Sequence, residues 1–136
     1  MKIKEMSFFE GIDNDVIQKI QQNCTQKIFD KGKSVFEKGE SANFLYFLET
    51  GEIDLFLKEK NRSICILNLP GEVFGWSSIV ENGVYTSSAI CKVQTSVLRI
   101  PREAIKEIFN QHPKAAVTFY QRIGNVFSKR LTTVID

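Results

Sequence analysis

Histidine occurs once in this 136-residue chain, cysteine three times and proline three times, and each scarcity excludes something. His112 alone cannot supply the converging imidazoles and carboxylates of a metal centre. A nucleophilic triad would need that same residue, which stands late in the chain beside Pro113. No catalytic residues and no metal ligands are therefore assigned, the chain is read as non-enzymatic, and His112 is read as a helix-boundary residue. Cys24, Cys65 and Cys91 are odd in number, far apart and lack a CxxC spacing, which argues against a disulfide framework, a zinc site or an iron–sulfur site and for reduced, buried thiols. No apolar run approaches the roughly 18 residues of a membrane span, and Met1 to Met6 lack the apolar core of a signal peptide. A cytoplasmic chain with no membrane partner is the expectation. Eighteen basic against sixteen acidic residues leave a net charge of +2, too little for the basic stripe that neutralises many phosphates.

What is present is apolar and aromatic. A hydrophobic fraction of 43%, with eleven phenylalanines, suits one domain that buries its own core. Phe8-Phe9-Glu10-Gly11 leads into a helix that Asp13 or Asn14 can cap and whose Val16, Ile17, Ile20 and Cys24 recur at helical spacing. From Gln26 the period changes. Ile28-Phe29, Val35-Phe36, Phe44 to Leu48, Ile53 to Leu57 and Ile64 to Leu69 are short β-prone runs separated by glycine-bearing or polar turns. Two more β-prone runs follow, ending at Pro101, and no βαβ rhythm appears. This pattern predicts a mainly β fold with flanking helices, a jelly-roll or β-roll, organised as residues 1–25 (helical), 26–101 (β-roll) and 102–136 (two helices).

The last helix is predicted to run from Pro113, suited to a first turn, to about Val134. It carries two apolar seams. One is Val117, Tyr120, Gly124, Phe127, Leu131 and Val134, with steps of three and four; the other is Ala116, Phe119, Ile123 and Val126. A helix with two apolar faces needs two partners, so one seam should cover the β-roll and the first should join a second copy in a homodimer. Lys114, Arg122, Lys129 and Arg130 share the helix, where such charges usually form a solvated face.

The residues from Pro70 to Val80 bring two glycines, four apart, to the end of a strand run and the start of a helical turn. Gly75 can take positive φ, and the amides of Trp76, Ser77 and Ser78 would then point outward. After the turn signal Glu81-Asn82-Gly83 comes the hydroxyl cluster Tyr85-Thr86-Ser87-Ser88, so amides and hydroxyls could face each other across a small anion cradle or tie down a loop. Together with Gly32, Phe36-Glu37-Lys38-Gly39-Glu40, Leu45-Tyr46-Phe47-Leu48 and Gly51, the stretch Pro70-Gly71-Glu72-Val73-Phe74-Gly75 resembles the cyclic-nucleotide-binding domain of the Crp/Fnr regulators and of cyclic-nucleotide-gated kinases and channels. The resemblance covers nearly the whole chain and implies that family's double-stranded β-helix, with its phosphate-binding cassette at residues 70–91.

In that family a glutamate after the cassette glycine takes the ribose hydroxyl and a downstream arginine pairs with the cyclic phosphate. Trp76 stands at the glutamate position, the arginine position falls at Tyr85 or Thr86, and no Lys or Arg lies between Gly75 and Cys91. Two missing charge-assisted bonds remove about 3–6 kcal/mol, or two to four decades of affinity. The expectation is a ligand-sensing regulatory module that does not bind cAMP tightly and signals through a downstream protein. Its pocket would comprise Gly75, Trp76, Ser77, Ser78, Tyr85, Thr86, Ser87 and Ser88, with Arg122 reaching in from the last helix. A cyclic nucleotide held by hydroxyls and amides, another small anionic ligand, or an empty docking module remain alternatives. No residues follow Asp136 for a helix-turn-helix, so no direct DNA contact is expected.

Overall fold

Alternation along one strand sets the architecture. In β3 (Phe44–Thr50), Leu45 and Phe47 enter one apolar core while Tyr46 and Leu48 enter another. Successive side chains of a strand point to opposite faces, so a strand apolar on both faces must be covered on both. A computed structural model of the chain describes residues 3–80 and 83–135, leaving out the side chains of 4 and 133–135. The turn expected at Glu81 and Asn82 lies outside the described residues.

Among the described residues, eight antiparallel strands form two four-stranded sheets. The first is ordered β1 (Thr25–Phe29), β8 (Thr95–Pro101), β3 and β6 (Val73–Phe74). The second is ordered β2 (Ser34–Phe36), β7 (Ser88–Cys91), β4 (Ile53–Leu57) and β5 (Arg62–Leu67). Phe36, Tyr46, Leu48, Ile53, Leu55, Phe74, Tyr85 and Val97 belong to one core, which lies between the sheets. The mainly β roll expected from the alternating runs is what forms. β6 went unforeseen because two residues are too short to show a period, and β5 ends earlier than the run to Leu69 suggested.

Helices cover the other face of the first sheet. α1 (Asn14–Gln22) and α2 (Arg102–Gln111) bring Val16, Ile17, Ile20, Ile105, Ile108 and Phe109 to the second core. Phe8 and Phe9 meet Phe47 and Phe119 there, with Phe8 and Phe119 edge to face at 4.9 Å between centroids. α3 (Pro113–Ile135) contributes Phe119 and Ile123 to this core, with Ala116 and Val126 packed against it. The inward seam is therefore Ala116, Phe119, Ile123 and Val126. Val117, Tyr120, Phe127 and Leu131 are exposed, as is Gly124, while the Val134 side chain lies outside the described residues.

The thiols are free, and Cys91 is buried while Cys24 and Cys65 are half-buried. Burial, reinforced by Glu49, pushes the Cys24 thiol up to about 12, so it carries its proton at neutral pH. No helix among the described residues is long and apolar enough to cross a membrane.

Candidate functional site

Gly75 ends β6 in the left-handed region, with φ 76° and ψ 26°. A Cβ there would stand 3.0 Å from Tyr46 Cδ2, 3.3 Å from Phe36 Cε2 and 3.4 Å from the Phe44 carbonyl oxygen. Glycine thus meets two demands at once, positive φ and a close approach to aromatic rings. The chain then closes one 3-10 turn over Trp76–Ser78. The Ser78 amide and hydroxyl both donate to the Gly75 carbonyl, at 3.2 Å and 2.9 Å, and Ser78 is buried. Ser78 therefore departs from the expected role: its donors are spent on closing the turn.

Ser88 departs from it for a similar reason. Its buried hydroxyl donates to the Glu37 carboxylate at 2.9 Å and accepts from the Lys38 amide at 3.1 Å, joining β7 to the turn after β2. Glu37 also accepts from Ser34 at 2.7 Å and from Lys58 at 2.8 Å. These donors, Lys58 first, hold its carboxyl at about 2, well below the ordinary range. Tyr85 is buried and stacked on Phe36 with centroids 3.7 Å apart and planes 10° apart. Its hydroxyl donates to the Phe44 carbonyl at 2.7 Å and accepts from the Phe44 amide at 3.2 Å. Burial pushes the Tyr85 phenol above its ordinary range, so it stays protonated.

A cavity of about 250 Å³ opens beside this cassette. Gly75, Trp76, Ser77, Tyr85, Thr86 and Ser87, six of the candidate residues named above, line it. Phe36, Leu55, Leu57 and Ile64 form an apolar floor, and Phe127, Arg130 and Leu131 of α3 form the roof. Arg122 does not reach the cavity. It sits two turns earlier on α3 and donates to the Phe8 carbonyl at 2.6 Å, holding the N-terminal segment against the helix.

The cation at the cavity is Arg130. Its guanidinium lies over the Trp76 indole at 4.8 Å and donates to the Val73 carbonyl at 2.6 Å. Burial draws its pKa below the ordinary arginine range, opposed by Cys65 and Glu72. The Phe127 ring meets Trp76 edge to face at 5.9 Å. The signal for Arg130 was its place three residues after Phe127 and four after Val126, which puts it on one stripe with both.

Comparison with known proteins agrees with the fold. The family described as "Cyclic nucleotide-binding domain" matches residues 26–112. The Cyclic AMP receptor protein of Thermus thermophilus is 26% identical over 117 residues, spanning 84% of this chain and 54% of that protein. Glutaminase 2 of Bradyrhizobium diazoefficiens is 27% identical over 129 residues, 93% of this chain but 20% of that protein. A solved structure of a candidate cyclic nucleotide-binding protein from Geobacter metallireducens superimposes with a TM-score of 0.84 at 23% identity, covering 95% of each chain. The chain thus spans about half the length, or less, of the curated relatives it matches. Nothing in these matches supports the expectation of no direct DNA contact.

Proposed function

Because this chain belongs to the cyclic nucleotide-binding domain family, we propose that it is a non-enzymatic, ligand-sensing regulatory module of the Crp/Fnr type that binds cAMP weakly and acts through a partner protein. The observation that carries this reading is the Trp76–Arg130 contact. At the position where the resemblance calls for a ribose-binding glutamate stands an indole, and the cation beside it comes from α3 rather than from the cassette. A molecule entering the cavity meets the cassette and α3 together, so occupancy is felt by the helix whose outward seam is exposed. That seam, Val117, Tyr120, Gly124, Phe127 and Leu131, continued in sequence by Val134, is the surface proposed to join a second copy. A monomer mass by light scattering at working concentration would exclude the dimer.

The cassette reading is tested by thermal-shift titration with cAMP and cGMP to millimolar concentration. A ligand at 100 times its dissociation constant adds about 2.7 kcal/mol of stability. No saturable rise is expected at micromolar nucleotide; a rise there would overturn the weak-binding reading. Native mass spectrometry of freshly purified protein gives the positive arm, a copurified small molecule.

A further inference from the structure

We infer that the cavity takes a small apolar monoanion, a hydrocarbon or aromatic body carrying one carboxylate group, with Arg130 meeting the charge and Phe127 and Leu131 closing over the body. The inference rests on the sensor reading above and narrows it to a ligand class.

Three observations carry it. The first is size: at about 250 Å³ the cavity stands at the small end of ligand pockets, whose common range is about 300–1,000 Å³, and so suits a small ligand. The second is the distribution of polarity. Phe36, Leu55, Leu57 and Ile64 present hydrocarbon, and the hydroxyl-bearing lining residues, Ser77, Tyr85, Thr86 and Ser87, all belong to the cassette. A ribose phosphate brings polar atoms along most of its length, and each one set against hydrocarbon loses its water without a replacement. A ligand with all its polarity at one end loses none. The third is charge: Arg130 is the one ionic side chain among the described residues lining the cavity, and its guanidinium lies over the Trp76 ring. A planar guanidinium matches the two oxygens of a carboxylate, and burial strengthens the attraction between them.

Trp76 is the only tryptophan of the chain, so its emission reports what enters. The test titrates octanoate, octanol and cAMP into the wild-type chain and into Arg130→Gln and Arg130→Lys, each checked for folding by circular dichroism. Octanoate is expected to shift the emission saturably and to bind about tenfold tighter than octanol, the value of one charge-assisted contact. Arg130→Gln is expected to abolish that preference and Arg130→Lys to keep part of it. Octanoate no tighter than octanol in the wild type overturns the inference, as does a preference unchanged in a folded Arg130→Gln. If Arg130→Gln does not fold, the wild-type ratio and the lysine variant decide. Saturable binding of cAMP with octanoate silent overturns the ligand class and leaves the sensor reading standing. A cavity that accepts none of the three overturns both.

Discussion

The floor and the roof of the cavity are built on opposite terms. On the floor and the cassette side that adjoins it, Phe36 and Tyr85 are 5% and 4% exposed, and the cassette's Tyr85, Ser78 and Ser88 have their polar groups committed to neighbouring backbone or to Glu37. On the roof, Phe127 and Leu131 are 49% and 44% exposed and belong to one helix surface. The family motif therefore describes the part of the site that holds itself together. The groups free to differ in chemistry arrive from α3, where no motif marks them.

Substitutions on the two sides should separate stability from occupancy. Phe36→Ala removes a stacked, buried ring from the floor and should cost about 3–5 kcal/mol in urea denaturation. A loss below 1 kcal/mol would show the floor to be as loose as the roof. Gly75→Ala forces a side chain into positive φ against Tyr46 and should cost about 1–3 kcal/mol by the same measurement. Phe127→Ala, on the roof, should cost no more than about 1 kcal/mol while shifting Trp76 emission to the red, because the indole loses its edge contact.

The smallest effect should be that of pH on Glu37→Gln. The folded-state pKa of Glu37 lies at about 2 against an ordinary 4.5, so its contribution is fully present above about 4.5 and lost as pH falls toward 2. The stability gap between wild type and Glu37→Gln should close across that window in urea titrations. It should be modest, because the pair with Lys58 stands largely in solvent. A gap unchanged from pH 7 to pH 2 would remove Glu37 as the clamp on Ser88.

Legibility in the sequence followed locality. Strands such as Ile53–Leu57 were readable because alternation and glycine turns are short-range signals, and α3 was readable because its seams repeat along one helix. The hydroxyl cluster was harder: Thr86 and Ser87 face the cavity while Ser88 turns to Glu37, and period-two alternation cannot say which face of β7 is occupied by a distant carboxylate. Arg130 was visible as a helix charge, yet its contact with Trp76 depends on how α3 crosses the roll. Arg122, one candidate among four basic residues on α3, has its partner in the Phe8 carbonyl, near the other end of the chain.

Phe127 and Leu131 stand on two surfaces at once, the wall of the cavity and the exposed seam of α3. Whatever covers the seam and whatever fills the cavity must bargain over the same two side chains. Thermodynamic reciprocity then fixes the bookkeeping: if filling the cavity changes affinity at the seam by some factor, covering the seam changes affinity in the cavity by that same factor. If the proposed second copy is what covers the seam, binding curves taken in dilute and in concentrated protein would differ by up to that factor, and protein concentration would become a variable of binding rather than a condition of the assay.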